Sequence, residues 1–327
     1  MDDHALPADH DTPDAESDRG GMDRRGFLKC MAWAGTGLVW VASGGVLSSR
    51  LLGAPTAHAA QGPAGDFSFV QISDSHIGFN QAPNTDVAGT LRAAVERINA
   101  LQPAPAFLIH TGDLSHGQKS GAFDTLDEIL STARVSQIFY VPGEHDVFVD
   151  GGTEFLNRYA RNSVGGKGWY SFDFNGVHFI GLINVLSYKE DTIGTLGAEQ
   201  LDWLRQDVDG LSSSTPLVVF THIPLWAVYP EWGWATDDAD QALGLLSRFG
   251  SVTVLNGHIH QVLQKVEGNI SFHTARSTAF PQPAPGTAPA PGPMQVPEDQ
   301  VRGFLGMRQV RYVQGTSPLA VVDSTLS

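Results

Sequence analysis

The sequence predicts an α/β fold with largely parallel strands, and three observations lead there. Five short apolar runs each end in Asp, Glu or His: FSFVQISDSH from Phe67, AFLIHTGDL from Ala106, QIFYVPGEHD from Gln137, PLVVFTHIP from Pro216 and SVTVLNGHIH from Ser251. Runs of about four to six residues rich in Val, Ile and Phe read as buried strands. Amphipathic segments of helical period separate them, which is the alternation expected of parallel strands joined by helices. Two further stretches alternate aromatic and β-branched residues about a Gly-containing turn, and these add antiparallel members, so the sheets should be mixed.

Taken in order, the first strand is followed by a helix whose apolar face is Val87, Leu91, Val95, Ile98 and Leu101, and the second by one carrying Phe123, Leu126, Ile129 and Leu130. GWYSFDFNGVHFIGLIN, from Gly168, reads as a hairpin turning at Asn175-Gly176. Leu201, Leu204, Val208 and Leu211 mark the next helix, and Leu243, Leu245, Leu246 and Phe249 the one after the fourth apolar run. A second hairpin turns at Gly268-Asn269. From Pro281 to Pro297 the chain reads PQPAPGTAPAPGPMQVP, which cannot hold a helix or a central strand; it predicts a long covering loop within the domain.

A chain of 327 residues at 42% hydrophobic and 17% charged is long enough for one large globular domain. Its formal charge of −15 persists in sign beyond residue 59 and argues against nucleic acid or anionic lipid as a partner. Residues 1–59 read as an acidic segment and an export signal, and 60–327 as the folded domain. Arg24 and Arg25 precede Phe27 and Leu28, residues 30–49 carry no charge, and Ala57-His58-Ala59 offers small residues for cleavage. This resembles a twin-arginine (Tat) signal, implying the Tat machinery as a partner and a periplasmic or extracellular protein with no stable membrane span after cleavage. The alternative is a retained N-terminal membrane anchor. Lys29 before Cys30 argues against a lipoprotein, and since Cys30 is the only cysteine, the exported chain would have no disulfide.

Residues just beyond the carboxyl ends of strands in an open α/β sheet share one crevice. The five polar ends therefore pool Asp74, His76, Asp113, Glu144, His145, His222, His258 and His260. Mixed carboxylate and imidazole ligands suit Zn, Mn or Fe. Asp74-x-His76 and His258-x-His260 have period two, which on a regular strand points both side chains to one face.

With the motifs Asp74-Ser75-His76, Gly112-Asp113, Gly143-Glu144-His145-Asp146, Thr221-His222-Ile223-Pro224 and Gly257-His258-Ile259-His260 in this order, the sequence resembles a calcineurin-like metallophosphoesterase. The resemblance implies a sandwich of two mixed β-sheets flanked by helices, with two metals bridged by Asp113. Asp74, His76, Asp113 and His260 would hold one metal, Asp113, Glu144, His222 and His258 the other, and His145 would face the substrate. It implies a dinuclear phosphoesterase using metal-activated water on a small phosphodiester or phosphomonoester. The rival from another class is a weakly active or non-hydrolytic metal-binding periplasmic sensor or partner-binding protein on the same fold. Where the family normally has Asn, this chain has Glu144, which keeps an oxygen ligand, removes an N–H donor and adds a negative charge.

Chemically, a two-metal site needs a bridging carboxylate, for which Asp113 is the natural residue, and a proton source for the departing alkoxide, which His145 oriented by Asp146 can supply. His110, His178 and His273 lie inside apolar or alternating runs and read as hydrogen-bonded core or sheet residues. His116, three residues after Asp113 on a loop near the metals, reads first as a structural residue, with a supporting or substrate contact as the alternative. The loop holding Trp226, Tyr229, Trp232 and Trp234 offers either a stacking platform or, more simply, a hydrophobic anchor, and Asp237 is placed to cap the helix that follows.

Overall fold

The structure, a computed structural model, describes residues 65–160, 163–188, 193–316 and 318–327, together with the backbone of 38–43 and 46–51. In the N-terminal unit, Met1–Ala54, two strands pair antiparallel, β1 (Leu38–Ser43) and β2 (Val46–Leu51). Arg24, Arg25, Cys30 and Ala57-His58-Ala59, which carry the export reading, lie outside the described residues.

The unit Pro55–Ser327 holds two mixed sheets. One has five strands in the order β13-β12-β3-β4-β5, built from β3 (Phe67–Ile72), β4 (Leu108–His110), β5 (Ile138–Tyr140), β12 (Gly306–Tyr312) and β13 (Ala320–Thr325). The other has six in the order β10-β11-β9-β8-β7-β6: β6 (Tyr170–Phe174), β7 (Val177–Gly181), β8 (Leu217–Phe220), β9 (Val252–Asn256), β10 (Gln264–Glu267) and β11 (Ile270–Thr274). The five strands expected to end in ligand-type residues, β3, β4, β5, β8 and β9, run parallel within their sheets, while β6, β10 and β12 pair antiparallel.

Strand alternation explains the layers. Phe69, Phe107, Ile109, Phe179, Val218, Phe220, Leu255 and Val310 meet between the sheets. Val70, Ile72 and Leu108 face the opposite way, onto α1 (Val87–Ala100) and α2 (Ala122–Leu130). On the other outer face Ile180, Val219, Val252 and Val254 pack against α4 (Ala198–Asp209) and α5 (Ala239–Leu246). Short helices α3 (Thr153–Tyr159) and α6 (Val301–Phe304) complete the set among the described residues. The helix faces read from the sequence are the buried ones, apart from Leu101, Leu211, Leu243 and Leu245, which are only partly covered.

At the predicted hairpin Asn175 and Gly176 have φ of 46° and 82°, the pair of positive values that a two-residue turn of this hand requires. Residues 281–297 contain neither helix nor strand. A polar layer lies between the apolar core and the ligand loops. The buried Arg308 donates to Asp323 Oδ1 and Oδ2, to Gln71 Oε1 and to the Thr274 carbonyl, and Gln71 in turn donates to Thr111 Oγ1 and the Asn256 carbonyl. These bonds tie the last turns of β3 and β9 together beneath the site.

Candidate metal centre

The described residues with positive φ other than Gly are Asp74, His76, Asp113, Gln118, Asn175, His258 and His260. Five of these seven are proposed ligands. This corrects the period-two argument: Asp74, His76, His258 and His260 lie beyond their strands, and left-handed backbone turns, not strand alternation, aim them inward. The loops are also crowded. A Cβ on Gly112 (φ 96°) would lie 2.4 Å from His222 Nδ1, and one on Gly143 2.1 Å from Asp113 Oδ1, so the glycine before each ligand is required sterically.

Asp74, His76 and His260 form one buried cluster, Glu144, His222 and His258 a second, and Asp113 lies between them. His260 Nε2 is 3.3 Å from Asp74 Oδ1 and 3.2 Å from His76 Nε2, and His76 Nε2 is 3.4 Å from Asp113 Oδ2. Across the bridge, His222 Nε2 is 3.5 Å from Asp113 Oδ2 and 2.9 Å from Glu144 Oε2, while His258 Nδ1 is 3.1 Å from Glu144 Oε1.

The tautomers of two imidazoles are fixed from behind. His222 Nδ1 lies 2.7 Å from the Thr111 carbonyl and His260 Nδ1 2.6 Å from the Phe280 carbonyl. A carbonyl only accepts, so both Nδ1 atoms carry hydrogen, and in the neutral rings both Nε2 atoms present lone pairs. Those lone pairs converge on carboxylate oxygens, and despite the short separations Glu144 Oε2, His222 Nε2 and both ring nitrogens of His258 have no aligned hydrogen-bond partner among the described residues. Acceptors gathered in a buried space without donors need a cation among them, and N/O donors in two sets sharing Asp113 fit two transition-metal ions.

The protonation equilibria point the same way. Burial and the neighbouring Glu144 carboxylate push Asp113 well above the usual carboxylate range. Burial opposes charge on His222, but Asp113 and Glu144 outweigh it and hold the imidazole well above its ordinary value. Glu144 is driven well below its ordinary value because His258 and His222 overcome the effect of burial. The cluster thus draws in positive charge, as protons when nothing else is bound.

Glu144 is buried and its carboxylate lies between His222 and His258. His145 is partly buried, its backbone N–H donates to Asp113 Oδ1, and its ring is edge-on to His76 at 4.8 Å. Burial lowers its pKa, against the raising effect of Glu144. Asp146 does not orient this ring. Its carboxylate accepts from the backbone N–H groups of Leu114, Ser115 and Gly143 and from Ser115 Oγ, at 2.8 to 3.0 Å. Four local donors saturate it, so Asp146 locks the β5 loop onto the β4 loop and its expected role at His145 is corrected.

His116 Nδ1 is 3.2 Å from His76 Nδ1 and its ring stacks on His145 at 4.8 Å, contacts that favour the alternative of a supporting residue. His178 bonds Asp173 and Asp207, and His110 Nε2 lies 2.8 Å from Ser75 Oγ, as hydrogen-bonded structural residues should, whereas His273 Nδ1, like His110 Nδ1, has no hydrogen-bond partner among the described residues, so the expectation fails at His273. The aromatic loop follows the anchoring alternative: Trp234 is buried, Trp232 packs on it at 5.1 Å, and Trp226 packs on Phe272 at 5.1 Å. The N-cap of α5 is Asp238, not Asp237, and its carboxylate serves the backbone of Leu196 and Gly197.

Several supporting residues escaped the sequence reading. Ser277 Oγ donates to the Asp74 carbonyl, Phe280 stacks on His76 and packs at a tilt against His260, and Gln282 Nε2 donates to the His258 carbonyl. The signal was the polar Ser277-Thr278 pair continuing a buried run just before the Pro-rich stretch.

Two mixed sheets whose polar ends pool three carboxylates and four imidazoles define a metal-binding α/β sandwich. The calcineurin-like phosphoesterase profile matches residues 67–262, and the chain belongs to that family. It is a metal-dependent phosphoric ester hydrolase. A 3',5'-cyclic-nucleotide phosphodiesterase of Nostoc sp. is 26% identical over 65% of this chain and 79% of its own. The mouse serine/threonine-protein phosphatase CPPED1 is 27% identical over 60% and 70%. The fold is similar to that of a dimetal phosphatase from Danio rerio, with a TM-score of 0.56 at 16% identity over 81% of this chain and all of that one.

Proposed function

We propose that the chain is an exported two-metal phosphodiesterase, with Asp74, His76, Asp113 and His260 holding one ion and Asp113, Glu144, His222 and His258 the other. The observation that carries this reading is the Glu144 carboxylate seated between His222 and His258. Ions bound at these residues would acidify a water and neutralise phosphoryl charge.

The protein's own groups then set the preference. Asp74, Asp113 and Glu144 contribute three negative charges, so two divalent ions leave a net charge of about +1 where a neutral amide at 144 would leave about +2. A monoanionic diester is accommodated better than a dianionic monoester. His145, beside the bridge, is placed to give a proton to the departing alkoxide. The name of the Nostoc relative agrees with a diester substrate, whereas that of the mouse relative denotes a monoesterase.

Metal analysis should find about two ions per chain, and kcat/KM for bis(p-nitrophenyl) phosphate should exceed that for p-nitrophenyl phosphate by about tenfold or more. A preference for the monoester refutes the diester assignment. Two bound ions with no turnover of either ester would leave the sensor reading standing. For export, replacing Arg24 and Arg25 with Lys should retain the precursor in the cytoplasm, and undiminished secretion of that double variant would reject the twin-arginine route.

A further inference from the structure

Three imidazoles near the centre are held from behind, but not alike. His222 and His260 donate Nδ1–H to backbone carbonyls. His76 has no carbonyl at that position; its Nδ1 faces His116 Nδ1 at 3.2 Å. Its Nε2 points into the site, toward Asp113 Oδ2 at 3.4 Å and His260 Nε2 at 3.2 Å. We infer that His116 is a positioning residue that fixes the tautomer of His76, keeping the His76 Nε2 lone pair available to a cation; this rests on the two-metal reading above.

The proton inventory makes the assignment specific. A neutral imidazole has one N–H, so a ring that offers Nε2 to a cation must carry its hydrogen on Nδ1. Two N–H groups cannot face each other at hydrogen-bond distance, so His116 Nδ1 is the acceptor and its own hydrogen is on Nε2. Packing prevents His116 from turning to offer the other nitrogen. One face stacks on His145 at 4.8 Å with the planes 20° apart, and the Phe79 ring lies edge-on at 5.2 Å. The backbone is fixed as well, since His116 N–H donates to the Ile77 carbonyl at 2.9 Å.

An imidazole acceptor also suits the local electrostatics. A carboxylate behind His76 would orient it equally well but would add a fourth negative charge to a buried site that already gathers three. His116 supplies the lone pair without the charge.

Three full-length variants test this, read by chelator competition with Mn²⁺ on metal-stripped protein. His116→Phe keeps the ring stack and removes the acceptor; it should weaken one of the two ions about 10- to 100-fold and leave the other nearly unchanged. His116→Asn, whose Oδ1 replaces Nδ1, should recover most of that loss. His76→Ala should lose the same ion. Should His116→Phe fail to fold, His116→Met removes the acceptor equally. If the acceptor-free variant binds both ions as the wild type does, or Asn recovers nothing, the inference is overturned while the two-metal reading survives. Wild-type protein that binds no ion overturns both.

Discussion

Two buried histidine–carboxylate clusters in this molecule look alike in composition and differ in geometry. His178 on β7 has Asp173 at 2.8 Å from Nδ1 and Asp207 at 2.9 Å from Nε2, both aligned as hydrogen bonds. His222 has Glu144 at 2.9 Å, just as close, yet neither atom finds an aligned partner. At His178 each atom is directed at its neighbour, and the cluster is complete. At His222, His258 and Glu144 the ligand atoms are gathered without aligned hydrogen bonds, an arrangement that a shared cation would complete. Alignment, not proximity, separates a structural ion pair from a metal centre.

Removing a charge from each cluster should separate them most clearly. Asp113→Asn should weaken both ions and reduce turnover on the order of 10⁴-fold, because in the proposed two-metal centre Asp113 serves both sites at once. Full activity with wild-type metal content would erase the contrast. His145 lies against the metal cluster, within reach of Asp113 and Glu144, and His145→Ala should reduce turnover about 10²- to 10⁴-fold with metal content retained. The loss should be smaller for esters with acidic leaving groups such as nitrophenol. An equal loss for all leaving groups would reduce His145 to a binding residue.

The His178 cluster should respond in stability instead. Burial opposes its charge, but Asp173 and Asp207 raise its pKa to about 9. Because the folded value lies above that of the unfolded chain, the stabilisation is complete below about pH 6.5 and disappears as pH rises through about 9. That is worth about 3 kcal/mol. Urea midpoints should therefore fall between pH 7 and 10 in the wild type and more weakly in His178→Phe, and matching slopes would contradict the assignment. The smallest effect is at Glu144. Glu144→Asn should shift the diester-to-monoester preference several-fold toward monoesters and modestly loosen the second ion. Unchanged preference and affinity would show that the extra charge has no consequence.

The five strand ends carrying ligand-type residues were legible because such residue types have no place inside a buried strand: a run such as SVTVLNGHIH declares both a strand and its end. The backbone that aims those residues was not legible, since nothing in the letters of Asp74 or His258 announces a positive φ. Asp146 misled for a related reason. Adjacency to His145 suggested a pair, but in a tight turn successive side chains diverge, and Asp146 turned to backbone donors contributed by the neighbouring loop. Strands β12 and β13 went unread because Arg308, Gln309 and Arg311 break up the apolar pattern, and Arg308 is buried only through partners far away in sequence.

The left-handed turns at Asp74, His76, Asp113, His258 and His260 set a limit on how this protein can be improved. Each holds a non-Gly residue where a glycine would relax the backbone by about 1 kcal/mol or more. A search for thermostable variants guided by local backbone preference would therefore nominate these five positions first, and every success there would delete a proposed ligand. Natural drift meets the same opposition if these residues hold the ions proposed above: mutations that ease the fold at this end of the sandwich would then cost it its chemistry. Stabilisation without loss of activity has to come from elsewhere, such as the partly covered helix faces at Leu101 and Leu243, where backbone and chemistry make no competing demands.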